Sequence, residues 1–339
     1  METHNNIKIV QVETGLIPIP NKHWGAVEKI IWEYHNALLA LGVNSEIQKW
    51  NEVQDGKDQL VHCHMANTAL DMKNRGIPYV YSLHDHHAEH YGKESAVYRN
   101  NLDAIKGSIF SICHSKHVVD YFDETDKLFY LRHGVNTKFF TPNDDVIRTR
   151  KLLMICNNGM AGDSSIDRKG FKIAIEAARK LHLEITIAGP ENNLEFFRLH
   201  PDIEYDKLRL QADNPTDDQT LKLYQTHDIF MAPSMLEYGH PNLSILEAMS
   251  CGLPIVGTCN TDLPGMYRMK ELSVEEAVMG IKVMHLRWEE ERAYQKLMRK
   301  EHDWFWIALE LKKMYDAAEI NKKNWTSEDT KKAYLESYV

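Results

Sequence analysis

Short apolar runs alternate along this chain with stretches whose apolar residues recur every three or four positions, and the alternation happens twice. A strand buried on both faces reads as an unbroken apolar run, and a helix packed on it shows a single stripe. The alternation therefore predicts two parallel sheets covered by helices. The first series opens with Ile7-Lys8-Ile9-Val10-Gln11-Val12. A loop carrying Gly15, Pro18, Pro20 and Gly25 follows, and then one helical face marked by Val27, Ile30, Ile31, Tyr34, Leu38 and Leu41. Leu60-Val61-His62, Tyr79-Val80-Tyr81-Ser82-Leu83 and Ile109-Phe110-Ser111-Ile112 read as further strands. The segment from Phe140 to Asp145, polar and broken by Pro142, is the expected hinge. A second series starts at Leu152-Leu153-Met154-Ile155, with a helix over 171–181 and strands at 184–188, 229–232 and 255–256. Near the end, Trp304, Ile307, Ala308, Leu311, Met314 and Tyr315 form one helical stripe, and 321–339 is polar.

The 339 residues suffice for two domains of ordinary size. No apolar run approaches the roughly 20 residues of a membrane span. The start, Met1-Glu2-Thr3-His4-Asn5-Asn6, lacks a basic region followed by an apolar one, which points to a cytoplasmic protein rather than a secreted one. Five scattered cysteines, without paired-ligand spacing, favour reduced thiols over disulfides or a zinc site. A net charge of −9 argues against a broad grip on nucleic acid.

The chemistry concentrates in residues 237–256. Glu237 sits on a turn-forming loop, a short helix begins near Asn242 or Ser244, and Glu247 lies about one turn further in. The helix stops at Gly252-Leu253-Pro254. Unpaired amides at a helix start suit a diphosphate, so Asn242, Leu243 and Ser244 are candidate phosphate binders. Glu247 is placed to take two ribose hydroxyls, and Glu237 to hold hydroxyls of a second sugar. The segment resembles the donor-binding signature of family-4 retaining glycosyltransferases of the GT-B fold. It departs from that family in spacing: the two glutamates are ten residues apart rather than eight.

Other segments resemble the same family in the same order. Trp24-Gly25-Ala26-Val27-Glu28 is similar to its Trp-Gly-Gly-x-Glu loop, with alanine for the second glycine. Glycine there lets backbone approach a sugar or pyrophosphate closely. Arg168-Lys169-Gly170 opens the helix from 171. Lys169 matches the family's lysine, and Arg168 is a candidate replacement for an arginine missing at Met160, after Gly159. Such cations stabilise the charge that grows on the β-phosphate as the sugar leaves. Gly189-Pro190 falls where the family brings backbone near the nucleotide base, and Arg132-His133-Gly134-Val135-Asn136 is similar to its closing turn of the first domain. Histidines crowd the first half. His84-Asp85 fits the family's strand-end pair whose histidine faces the donor sugar, and His62 and His64 end the preceding strand. The alternative for this cluster is a metallohydrolase, but no His-x-His-x-Asp-His pattern is present.

The resemblance implies an α/β GT-B architecture: two Rossmann-like domains facing a cleft, with a C-terminal helix crossing back to the first. The expected boundaries are 1–143 for the acceptor domain, 144–300 for the donor domain, 301–320 for the returning helix and 321–339 for the tail. The implied activity is retaining, metal-independent transfer from a UDP- or GDP-sugar, without a separate cofactor. His84, Lys169 and Glu237 are the expected catalytic residues. Gly25, Arg168, Lys169, Gly189, Asn242, Leu243, Ser244 and Glu247 are expected to hold donor, and Trp24, His62, His64 and Asp85 acceptor. The acceptor is left open among a glycan or lipid-linked glycan, a small molecule and a modified DNA base. A non-catalytic nucleotide-sugar binding protein is the remaining alternative.

Overall fold

The computed structural model describes residues 8–20, 25–56, 59–84, 88–145, 148–158, 165–211, 215–235, 241–258 and 263–320. The chain divides into two compact units. Of the described residues, the first comprises those up to His133 together with those from Trp304, and the second those within Gly134–Asp303.

The first unit runs β1 (Lys8–Val12), α1 (Ala26–Ala40), β2 (Ser45–Gln48), β3 (Gln59–Cys63), α2 (Ala66–Asn74), β4 (Tyr79–Leu83), α3 (Ala88–Tyr91), α4 (Ala96–Gly107), β5 (Ser111–Cys113), α5 (Lys116–Tyr121) and β6 (Leu128–Tyr130). Its six strands are all parallel, in the order β2-β1-β3-β4-β5-β6. The second unit runs β7 (Lys151–Ile155), α6 (Phe171–Leu181), β8 (Glu184–Ala188), α7 (Glu191–Leu199), β9 (Leu208–Gln211), α8 (Asp217–Thr226), β10 (Ile229–Ala232), α9 (Leu243–Ser250), β11 (Ile255–Gly257), β12 (Met266–Arg268), α10 (Val274–Leu286) and α11 (Trp288–Met298). Its sheet is also six-stranded and parallel, in the order β12-β11-β10-β7-β8-β9.

Burial follows the expected stripes. The second sheet is covered on one face by α6 and α10 through Phe171, Ala174, Ile175, Ala178, Ala277 and Ile281. On its other face α9 contributes Ile245, Leu246, Ala248 and Met249. The last helix, α12 (Trp304–Ile320), buries Trp304, Ile307, Ala308, Leu311, Met314 and Tyr315. It packs on α1 in the first unit, where the ring of Trp304 meets Tyr34 edge-on at 5.3 Å.

The segment expected as the hinge is fastened inside the second unit, which begins earlier, at Gly134. The Phe140 carbonyl accepts from Ser250 Oγ at 2.6 Å and from Arg299 Nη2 at 3.0 Å. Gln225 Nε2 donates to the Thr141 carbonyl at 2.7 Å, and Arg292 Nη2 to that of Asn143 at 3.0 Å. Val135 and Phe140 are buried in that unit's core, so proline and polarity here mark a strap rather than a joint.

Candidate functional site

In the second sheet β7 lies at the centre. The chain builds β8 and β9 on one side and then returns to build β10, β11 and β12 on the other. In open parallel sheets ligands bind at the carboxyl ends of the strands where the order reverses. Here that point is between β7 and β10, and the segment Arg168-Lys169-Gly170 meets Pro233-Ser234-Met235 there. The Arg168 carbonyl accepts from the Met235 amide at 2.9 Å and from Ser234 Oγ at 3.2 Å. Gly170, at φ +75°, closes the approach. A Cβ on it would lie 2.1 Å from the Pro233 carbonyl oxygen.

The loop leaving β7 is built around Asn158, which is wholly buried. Its amide donates to Asn193 Oδ1 at 3.0 Å and its Nδ2 to the Ile166 carbonyl at 2.7 Å, while its Oδ1 accepts from the Lys169 amide at 3.2 Å. Asn193 Nδ2 in turn donates to the Cys156 carbonyl at 2.8 Å. Gly189 makes this junction possible, because a Cβ there would stand 2.1 Å from the Cys156 carbonyl oxygen and 2.4 Å from Asn193 Nδ2. Lys169 thus joins this hydrogen-bonded network, and Gly189 packs against it. Neither Asn158 nor Asn193 was picked out from the sequence, where polar residues beside a strand end look like ordinary loop.

Arg168 and Lys169 are each 8% exposed, so their charges act through surroundings that screen less than bulk water. The Arg168 guanidinium donates through Nη2 to the Asn157 carbonyl at 2.6 Å and through Nε to that of Asn158 at 3.4 Å. Part of its donor set therefore shapes the loop. Asp167, also not singled out in the sequence, accepts from the amides of Phe171 at 2.6 Å and Lys172 at 2.9 Å. Its carboxylate occupies the start of α6, so the first two amides of that helix are already taken.

The start of α9 is different. Asn242 is its N-cap, and Asn242 Oδ1 accepts from the Ile245 amide at 3.0 Å and from Ser244 Oγ at 2.7 Å. The amides of Leu243 and Ser244, the first two of the helix, have no acceptor within it and carry the positive end of the helix dipole. Glu247, one turn on and 8% exposed, accepts at Oε2 from the Tyr224 hydroxyl at 2.9 Å. Burial and the neighbouring Glu247 charge hold the Tyr224 pKa well above its ordinary value, so the hydroxyl keeps its proton and donates. The carboxylate is thereby fixed before any ligand arrives. Glu237, in the loop between β10 and α9, lies outside the described residues, as do Trp24 and Asp85.

In the first unit Gly25 caps α1, and the Thr14 hydroxyl after β1 donates to the buried Glu28 carboxylate in the first turn of α1. The strand ends beyond carry histidines stacked ring to ring. Centroids are 4.3 Å apart for His62–His64, 5.3 Å for His64–His84, 5.2 Å for His84–His114 and 3.7 Å for His114–His133. The rings pack by their faces, and among the described residues no group of three or more His, Cys, Asp or Glu is arranged to hold a metal ion. Burial and the neighbouring histidines push the pKa values of His62 and His64 well below the ordinary range, so both rings are neutral at pH 7. His62 and His64 were expected to touch acceptor. At 0% and 1% exposure they offer a ligand no surface, and they lie behind the half-buried His84.

Residues 158–278 match the family model described as glycosyl transferases group 1. No curated protein matches the sequence. Among solved structures the chain is similar to Anabaena HepE in complex with UDP-glucose, at 13% identity and a TM-score of 0.69, covering 91% of this chain and 99% of that one. It is also similar to a glycosyltransferase from Rickettsia africae, at 16% identity and a TM-score of 0.65, covering 95% and 100%. AviGT4, a glycosyltransferase involved in avilamycin A biosynthesis, aligns at 16% identity and a TM-score of 0.61, covering 93% and 98%. The two six-stranded parallel sheets with flanking helices are those of GT-B glycosyltransferase structures. The matched segment, which runs from the loop after β7 into the first turn of α10, supports a glycosyltransferase built on that fold.

Proposed function

We propose that the protein transfers a sugar from a nucleotide-diphosphate sugar to an acceptor hydroxyl, with retention of configuration and without a metal ion. The observation that carries this reading is the grouping of Lys169 and the α9 amino terminus at the carboxyl ends of β7 and β10, with Glu247 held by Tyr224 one turn away. In it the amides of Leu243 and Ser244 receive the diphosphate, Glu247 takes the ribose hydroxyls, and Lys169 stabilises the negative charge left on the β-phosphate. Arg168 assists Lys169 electrostatically, Gly189 gives room to the base, and Glu237 is assigned to hydroxyls of the sugar from its sequence position. His84 is assigned to the sugar from its sequence position. As the bond from the anomeric carbon to the phosphate oxygen breaks, the acceptor oxygen bonds to that carbon on the same face. The acceptor proton passes to the departing phosphate, so no protein nucleophile is required. HepE and its UDP-glucose complex favour a UDP-sugar as donor.

A thermal-shift screen of UDP-, GDP-, ADP- and CDP-sugars in the presence of a chelator tests the reading. A donor at about 100 times its dissociation constant is expected to stabilise the fold by roughly 2.7 kcal/mol. Failure of every nucleotide sugar to raise the melting midpoint would contradict it.

Within the site, Glu247→Ala is expected to weaken nucleotide-sugar binding by about 1.5–3 kcal/mol, roughly 10- to 150-fold in Kd, through loss of charged hydrogen bonds to the ribose. Calorimetric titration of the folded variant measures this directly. Unchanged affinity would remove the ribose role. Tyr224→Phe, which removes one bond to the carboxylate but keeps its charge, is expected to lose less.

A further inference from the structure

Asn158 and Asn193 place two carboxamides in the interior of the second unit, at 0% and 3% exposure. A buried amide costs free energy unless its donors and acceptors are paired. Here both are paired, and their partners are backbone groups on separate segments. Asn193, in the first turn of α7, donates through Nδ2 to the Cys156 carbonyl at 2.8 Å and accepts at Oδ1 from the Asn158 amide at 3.0 Å. That fastens the chain just after β7. The Asn158 side chain then reaches the far end of the connection from β7 to α6. Its Nδ2 donates to the Ile166 carbonyl at 2.7 Å, and its Oδ1 accepts from the Lys169 amide at 3.2 Å. The end of β10 holds the residues on either side of that amide's own residue. The Arg168 carbonyl accepts from the Met235 amide at 2.9 Å, and Gly170 leaves no room for a Cβ beside the Pro233 carbonyl oxygen. The Lys169 backbone is therefore gripped from β10 and from β7, and Asn158 supplies the β7 side.

We propose that Asn158 is a positioning residue for the transfer reaction, acting through Lys169: its carboxamide fixes the backbone from which the lysine cation is presented to the β-phosphate. The proposal rests on the reading that Lys169 stabilises the charge left on that phosphate. A carboxamide suits the place because it carries a donor and an acceptor on one planar group, and Ile166 offers a carbonyl where Lys169 offers an amide. The Asn158 carbonyl adds a further link by accepting from Arg168 Nε at 3.4 Å, so both neighbouring cationic residues are tied to Asn158. A preorganised charge lowers the barrier only while it stays where charge develops. Displacing such a group by about 1 Å can cost about a hundredfold in rate. Asn193 is the outer link, which keeps the backbone of Asn158 itself from shifting.

Residue-resolved hydrogen exchange of the full chain and a double-mutant cycle test this. In the wild-type protein the Lys169 amide is expected to exchange at least about a hundredfold more slowly than an open amide. In Asn158→Ala that protection should be lost while the amides of β7 and β8 keep theirs. The kcat for transfer from the nucleotide sugar should fall about tenfold or more in Asn158→Ala, with KM for the donor changed less than about threefold. In the Lys169→Ala background the same substitution should lower kcat less than about twofold, because the group it positions is gone. A merely structural role predicts instead that the two losses multiply, and that result overturns the proposal. A wild-type Lys169 amide that exchanges freely overturns it as well, and that measurement needs no variant to fold. Asn193→Ala, which removes only the outer link, serves if Asn158→Ala does not fold. It is expected to show a smaller loss with the same dependence on Lys169, and independent losses there count against the proposal equally. Wild-type turnover in folded Asn158→Ala beside an impaired Lys169→Ala rejects the positioning role alone. Wild-type turnover in Lys169→Ala rejects it together with the reading that Lys169 meets the phosphate.

Discussion

Lys169→Ala is expected to lower kcat by roughly a hundredfold or more while leaving the protein folded. The bond that breaks in the donor leaves negative charge on the β-phosphate, and a preorganised cation there stabilises the transition state more than the bound substrate. Loss of one such electrostatic partner costs about 2.7–4 kcal/mol in activation free energy. The lysine is held by its backbone rather than by helix geometry. Its amide donates to the buried Asn158, and the next residue, Gly170, is pressed against Pro233. Because only the side chain is lost, the fastening of the loop survives. Steady-state kinetics with saturating donor, beside a thermal melt, separate the two effects. A folded Lys169→Ala with kcat near the wild-type value would remove the catalytic role.

The largest effect on stability is expected from Gly170→Ala, at about 2–5 kcal/mol. Two costs combine. A left-handed backbone with φ +75° penalises any residue bearing a Cβ, and that Cβ would stand 2.1 Å from the Pro233 carbonyl oxygen, far inside contact distance. Backbone has little room to yield here, because the Arg168 carbonyl is tied to Met235 and Ser234 on the same side. Gly252→Ala supplies the control in the same unit. It shares a positive φ, +74°, but its Cβ would meet nothing closer than 3.7 Å. Only the backbone penalty, about 1–2 kcal/mol, is expected there. Urea unfolding of both variants measures the difference, and equal losses would show that the β7 and β10 loops part easily. Donor affinity should fall in Gly170→Ala, since separating these loops displaces Lys169.

Which parts of the fold were legible in the sequence follows from burial. The strands at Tyr79–Leu83, Glu184–Ala188 and Ile229–Ala232 were expected over the residues where they occur, because each lies inside its sheet and is apolar on both faces. The edge strands were not. Ser45–Gln48 is short and mostly polar, Leu208–Gln211 is largely exposed, and Met266–Arg268 has only three residues, so none produces an apolar run. The stripe from Trp304 to Tyr315 was legible because a helix buried along one face repeats its apolar residues. The strap at 140–143 was misread as a hinge, since proline and polar residues signal a break in regular structure without revealing whether the backbone is tied down.

For the site, the sequence singled out Lys169, Asn242 and Glu247 and missed the residues bonded to them. Lys169 precedes α6, Asn242 caps α9 and Glu247 lies one turn into it. Their supports, Asn158, Asn193 and Tyr224, act through hydrogen bonds between separate segments, which no local pattern encodes. A crowding of histidines was visible, but stacking across neighbouring strand ends depends on the order β3-β4-β5-β6 and on register. A Glu247 to Tyr224 bond between two helices is equally hidden until the sheet is assembled.

A crystal structure with the nucleotide sugar that gives the largest thermal shift tests the proposed donor site most directly. The expected result places the diphosphate within hydrogen-bonding reach of the Leu243 and Ser244 amides and of Lys169 Nζ, with both ribose hydroxyls on the Glu247 carboxylate while Tyr224 keeps its bond to Oε2. A nucleotide bound at the strand ends of the first unit, or one whose ribose lies away from Glu247 with Lys169 remote from phosphate, would contradict it.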